Sequence, residues 1–228
     1  PEGGMRPDPH LMTPKDLIAR RVAQEIRPGT LVNLGIGIPT RVSDHLPEGM
    51  GVFFQSENGV VGLGHRPPEG MGDRHLTDAG GSCVSAVPGA SIIDSAFSFG
   101  LIRGGHLDLT VLGGLQVDAR GRLANWMIPG EYVPGMGGAM DLVTGAKRVI
   151  VAMLHCVHGQ SKIVPECSLP LTSPRRVDLI VTELAVIAPR EDGLHLLETA
   201  PDVSLAEVLA ATAAPLLVTG EVPEMDLR

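Results

Sequence analysis

Apolar residues recur at helical spacing in "TPKDLIARRVAQEIRPG", where Leu17, Ile18, Val22 and Ile26 share one stripe. Thr13 stands at the capping position, Pro14 suits the first helical turn, and Pro28 with Gly29 end the segment. Residues 94–103, 139–146 and 204–212 repeat the helical pattern, the last with a capping box of Ser204 and Glu207. Between them lie short apolar runs that read as strands: "TLVNLG", "GVFFQS", "LDLTVLG", "RVIVAML" and "VDLIVTELAVIAP". "IGIPTRVSDHL" reads as a helix joining the first two strands, which makes a βαβ unit. Strands without polar alternation, separated by helices, predict an α/β fold whose mainly parallel open sheet has helices on both faces. The turn at residues 191–193 predicts mixed strands toward the C-terminus. Residues 13–228 read as a single domain and residues 1–12 as a tail or cloning remnant. The longest irregular stretch, residues 62–81, is rich in Gly and Pro and has the length of a functional flap.

Composition narrows the classes. The 228 residues are 43% hydrophobic, enough to bury a core without metal or disulfides. Three cysteines, Cys83, Cys156 and Cys167, are widely spaced and form no CxxC pair, which predicts a reduced, cytoplasmic protein. No apolar run reaches the roughly 20 residues of a membrane helix. Eighteen basic against 26 acidic residues give a net charge of −8, and this disfavours nucleic acid. An aromatic content of 3% removes stacking platforms as well.

Candidate chemistry gathers at the predicted strand ends, where open α/β sheets bind ligands. Glu57 directly follows "VFFQS", and Gly59, Gly62 and Gly64 keep the neighbouring chain free of bulk. The residues alone leave open whether Glu57 faces a ligand or solvent. Asn33 ends the first strand, with Gly35 and Gly37 ahead of the next helix; the match to a dinucleotide fingerprint fails because Thr40 stands where the third glycine belongs. "GMGGAMDLV" brings the amides of Gly138 and Ala139 to another helix start, suited to a developing negative charge or simply to a tight turn. "HCVH" holds His155, Cys156 and His158, yet nothing nearby completes a metal set, so no metal is expected.

Together, "NLGIGIPT", "QSENGVVGLG", "PGASIIDSAFSFGLIRGGHLDLTVLGGLQVD", "GRLANWMIPG" and "GMGGAMDLV" resemble the B subunit of the 3-oxoacid CoA-transferases, the family I CoA-transferases. The resemblance implies that Glu57 is a covalent nucleophile passing CoA between an acyl-CoA (succinyl-CoA or acetyl-CoA) and a 3-oxo acid (acetoacetate or 3-oxoadipate). It implies oxyanion donors at Gly138 and Ala139, and substrate or pantetheine contacts at Asn33, Gly35, Gly37, Asn58 and Gly59. It further implies CoA as substrate with no resident cofactor, and a homologous A subunit in an A2B2 assembly. Two departures stand out: "DAGG", with Asp78 and Gly81, where the family commonly has "NAGK", and "MLH", ending in His155, where it often has "MEH". The same architecture also serves sugar-phosphate isomerases and ligand-sensing domains, in which Glu57 would be a general base or a ligand contact.

Overall fold

The computed structural model describes residues 12–131, 133 and 135–227. Residues 1–11, most of the expected tail, lie outside them. In chain order the strands are β1 (Leu31–Leu34), β2 (Phe53–Ser56), β3 (Val60–Leu63), β4 (Ala86–Ile92), β5 (Leu109–Leu112), β6 (Gln116–Asp118), β7 (Leu123–Ala124), β8 (Arg148–Ala152), β9 (Cys156–Val157), β10 (Gln160–Ser161), β11 (Ile163–Val164), β12 (Leu179–Val181), β13 (Ala185–Arg190), β14 (Gly193–Thr199) and β15 (Leu216–Leu217). The helices are α1 (Pro14–Ala23), α2 (Ser95–Arg103), α3 (Ala139–Gly145) and α4 (Leu205–Ala211).

A ten-stranded sheet runs in the order β15-β14-β13-β12-β8-β5-β1-β2-β3-β4. Its centre, β12-β8-β5-β1-β2, is parallel. Antiparallel pairs flank that centre on both sides, β12-β13-β14 on one and β2-β3-β4 on the other. Alternation along the central strands splits the core into two layers. Val149, Val151, Ile180 and Ile187 face α2 and α3 through Ile102, Leu142 and Val143. Ile150, Ala152, Val181 and Val186 face α1 through Ile18, Ala19 and Val22. Both faces are therefore apolar, which is why these strands show no polar alternation in sequence.

The ends of the helices follow local chemistry. Thr13 accepts from the Asp16 amide, Asp94 from the Phe97 amide, and Ser204 with Glu207 closes the capping box. The turn at residues 191–193 joins β13 to β14 as expected.

Four details differ from the sequence reading. The β1–β2 connection is a 3-10 helix, Pro39–His45, not an α-helix. There Thr40 and Ser43 hydroxyls bond back to the carbonyls of Gly37 and Thr40, competing with α-helical bonds. β4 carries Pro88 and Gly89, which hide it in sequence; as the outermost strand it tolerates a missing N–H. The small sheets β11-β6-β7 and β10-β9 are built from pieces too short to show a period. Finally, the chain after β2 turns through residues 57–59 into antiparallel β3, so the first two residues of the expected irregular stretch 62–81 belong to the sheet.

Candidate active site

The carboxyl ends of β1 and β2 lie side by side, with Asn33 opposite Gln55 in the parallel register. Residues opposite one another on neighbouring strands share a face, so Gln55 points the same way as Asn33, and Glu57, two residues beyond Gln55, continues that row into the turn. Asn33 and Gln55 are buried, while Glu57 is half-buried at the top of the row. Asn33 Nδ2 donates to Glu57 Oε2 at 3.1 Å, and also reaches the Gln55 backbone oxygen (3.1 Å) and Gln55 Oε1 (3.0 Å). Three oxygens around that nitrogen fix the orientation of the Asn33 amide. Gln55 Nε2 in turn donates to the Ser98 hydroxyl on α2 at 2.8 Å. Among the described residues Glu57 forms no ion pair with a basic side chain.

The same face receives the start of α3. A methyl group built on Gly138, the residue preceding α3, would sit 2.9 Å from Glu57 Cγ and 3.1 Å from Glu57 Oε1. Only a residue without a Cβ lets the chain lie against the carboxylate this closely. The Ala139 amide donates to Met136 O at 3.3 Å, so the turn already engages it.

Gly59 has φ +121°, and a Cβ there would collide with Ile93 O; its own carbonyl accepts from the Ile93 amide at 2.8 Å. It shapes the hairpin and brings no ligand group of its own. Asn58 donates to Thr77 O at 2.8 Å, and Ser56 Oγ accepts from the Ala79 amide at 2.8 Å. These two bonds moor the irregular loop beside Glu57. Within that loop Asp78 Oδ1 accepts from the Gly80 and Ser82 amides, both at 2.9 Å, so the carboxylate of "DAGG" builds its own turn. The Gly35 amide donates to Val111 O at 2.8 Å and prolongs the sheet by one bond, while Gly37 stands in open space. Gly80 lies against exposed Ile36, which brings the flap to the glycine turn that follows β1.

The sequence reading missed Gln55, Ser98 and Thr110. The signal was there for Gln55, an uncharged polar residue inside an apolar strand run. His155, a sequence candidate, stands apart: Thr182 and Thr212 hydroxyls occupy its two ring nitrogens at 3.0 and 2.9 Å. Burial holds its pKa down to about 4. Thr212 donates its own proton to Val208 O, so it accepts from His155 Nε2, and because burial keeps the ring neutral Nδ1 accepts from the Thr182 hydroxyl, whose proton Ala185 O also attracts at 3.2 Å. Nearby, Lys162 bonds to Gly114 O and is pushed below its usual pKa by burial, while burial raises Glu183.

An open α/β sheet here carries at its carboxyl edge a carboxylate with no basic partner among the described residues, resting on a glycine, which is where folds of this class bind their ligands. The chain belongs to the coenzyme A transferase family, whose pattern matches residues 15–211. It is 52% identical over 217 residues to the beta chain of acetate CoA-transferase from Haemophilus influenzae, covering 95% of this chain and 97% of that one. The B chain of succinyl-CoA:3-ketoacid coenzyme A transferase from Helicobacter pylori is 50% identical over 201 residues, covering 88% of this chain and 97% of that one. Among solved structures, the acyl-CoA transferase YdiF apoenzyme of Escherichia coli O157:H7 matches with a TM-score of 0.75 at 25% identity. That match covers 94% of this chain and 44% of the other, so the present chain spans less than half of that protein.

Proposed function

We propose that Glu57 carries coenzyme A between two carboxylic acids as a transient thioester. The observation that carries this reading is its side chain, bonded to Asn33, free of any cationic partner among the described residues, and lying over Gly138. The Glu57 carboxylate attacks the thioester carbonyl of an acyl-CoA, giving a tetrahedral oxyanion that expels CoA thiolate and leaves an acyl–glutamyl anhydride. The thiolate adds to the Glu57 carbonyl, the first acid departs as its carboxylate, and Glu57 becomes the CoA thioester. A second acid attacks that thioester through its carboxylate oxygen and again frees the thiolate. Attack of the thiolate on the new acyl carbonyl yields the product acyl-CoA and restores Glu57. No water is consumed, so a site that excludes water protects the anhydride.

Each addition needs a donor for its oxyanion. The donors in this reading are the backbone amides at Gly138, whose chain lies against Glu57, and at Ala139, which contributes if its bond to Met136 opens. Asn33 holds the carboxylate ready. Gly37 stands in open space where pantetheine could lie, Gly35 is packed against Val111 and Leu112 and sets the turn that leads to it, and Asn58 and Gly59 shape the wall.

The acyl-CoA is succinyl-CoA or acetyl-CoA and the acceptor a short carboxylic acid. The names of the relatives support both acetate and a 3-oxo acid, for which acetoacetate and 3-oxoadipate are the candidates to assay. Coenzyme A is a substrate in this scheme, with no resident cofactor. Family membership favours it over a sugar-phosphate isomerase or a ligand sensor, for which no observed contact speaks.

A homologous A subunit completes the site, in an A2B2 assembly in the cytoplasm. The designation of the relatives as beta or B subunits supports a second chain, as does the greater length of the YdiF chain. Exposed Phe53, Val87, Ile92, Phe97 and Met140 offer the apolar surface such a partner would cover. No helix among the described residues is long and apolar enough to cross a membrane.

The test is to co-express the two subunits, mix them with acetyl-CoA or succinyl-CoA, and map the CoA adduct by peptide mass spectrometry. The adduct is expected on Glu57 and absent from Glu57→Gln. Full turnover by Glu57→Gln would overturn the proposal.

A further inference from the structure

The row beneath Glu57 is a chain of buried polar groups. Asn33 is 1% exposed, Gln55 2%, and Ser98 and Thr110 0%. Four uncharged polar side chains sealed between an apolar sheet and an apolar helix are costly unless each is bonded, and here each is. Thr110 Oγ1 reaches Asn33 Oδ1 at 3.5 Å, Asn33 Nδ2 reaches Gln55 Oε1, and Gln55 Nε2 reaches Ser98 Oγ.

The direction of these bonds matters. The Gln55 backbone oxygen and the Glu57 carboxylate can only accept, so the Asn33 nitrogen faces them; the Gln55 carboxamide then turns its oxygen to that nitrogen and its own nitrogen to the Ser98 hydroxyl, which accepts. Turning the Asn33 amide over would set Oδ1 against three oxygens. The nitrogen also has two protons and three acceptors. When Glu57 leaves to attack or becomes a neutral thioester, both protons still have oxygens on Gln55, and the amide keeps its orientation until the carboxylate returns.

From this arrangement we infer that Gln55, anchored by Ser98 on α2, is a positioning residue for the nucleophile: it holds the Asn33 amide through the catalytic cycle so that Glu57 returns to one geometry. α2 is tied to the element on the other side of Glu57. Arg103 pairs with Asp141 of α3 at 2.5 Å, and Gly145 lets α3 close on the α2 backbone at Ile102. The helix that orients Glu57 through Ser98 is thus fastened to the helix whose N-cap, Gly138, meets Glu57.

This inference rests on the covalent reading, and the experiment separates the two. The rate of CoA transfer from acetyl-CoA to Glu57 is measured in single turnovers of the two-subunit complex, beside steady-state kcat and KM. Gln55→Met is expected to slow adduct formation about tenfold, since small misplacements of a reacting group are costly, with KM for acetyl-CoA within about twofold. Ser98→Ala, which removes only the anchor, is expected to slow it about threefold. The double variant should be no slower than Gln55→Met alone, because both act through one chain of bonds. If wild type forms no adduct on Glu57, the covalent reading fails. If wild type forms it and both folded single variants form it at the wild-type rate, Gln55 has only a structural part and the inference is overturned. A loss expressed wholly in KM would overturn it equally.

Discussion

His155 and Glu57 stand beyond the carboxyl ends of strands in the same sheet, yet they are finished differently. Both ring nitrogens of His155 meet threonine hydroxyls in a closed pocket, its backbone amide binds Glu183 at 2.8 Å, and its carbonyl accepts from Lys162 at 2.9 Å. Glu57 is half-buried, has its side chain held by one amide nitrogen, and lies against bare glycine backbone. A polar group whose valences are all filled inside the protein stabilises the fold. One left partly unmet at a sheet edge is positioned to act on something else. By type alone, histidine would be the favoured catalyst; hydrogen-bond accounting reverses that preference.

The comparison is broken most directly by exchanging the two residues' chemistry. Glu57→Gln should reduce turnover by a factor of about a thousand or more, because an amide cannot form the anhydride, while unfolding free energy changes by less than about 1 kcal/mol. Urea denaturation beside an acid-exchange assay measures both.

His155 should show the opposite profile, an effect on stability that depends on pH. Its folded pKa of about 4 lies below the ordinary 6.5, so the unfolded chain takes up the proton first as pH falls. The stabilising contribution is complete above about pH 6.5 and is lost as pH drops toward 4, amounting to at most about 3 kcal/mol. His155→Gln should flatten that part of the stability curve and leave kcat at neutral pH within about twofold, as read by denaturant midpoints across the range.

Gly138→Ala sharpens the Glu57 side of the contrast. Its methyl group must displace Glu57 Cγ, so kcat should fall about tenfold with the melting temperature nearly unchanged. The smallest effect is expected from Ser56→Ala. The Ala79 amide loses its acceptor, stability falls by about 1 kcal/mol, and faster hydrogen exchange at Ala79 reports a loosened flap.

How much of this was legible beforehand depended on whether a feature is local. The helix at Thr13, the capping box of Ser204 and Glu207 and the hairpin at residues 191–193 each follow from contiguous chemistry, and they could be read. The two-layer parallel sheet could be read too, because strands buried on both faces lose polar alternation. β4 could not, since its Pro88 and Gly89 argue against a strand unless its edge position is known. Glu57, Asn33 and Gly138 were identifiable as candidates, but the bond and the close approach that unite them join residues 24 and 81 positions apart. Gln55 and Ser98 were invisible as a pair: each looks like an ordinary polar residue until β2 and α2 are packed together. Ala139 shows the converse, since a helix-start amide that looks available is already taken by Met136.

The most direct test of Glu57 as carrier follows atoms. An acid labelled with heavy oxygen in its carboxylate is turned over by the two-subunit complex with unlabelled acyl-CoA, and the peptide containing Glu57 is weighed. If the acid attacks a glutamyl thioester, its bridging oxygen stays on Glu57 when CoA moves on, and the peptide should gain one heavy oxygen in the first turnover and approach two within a few more. An unlabelled Glu57 after many turnovers would contradict the account, because the acyl group would then have passed between acids and CoA without a bond to this side chain.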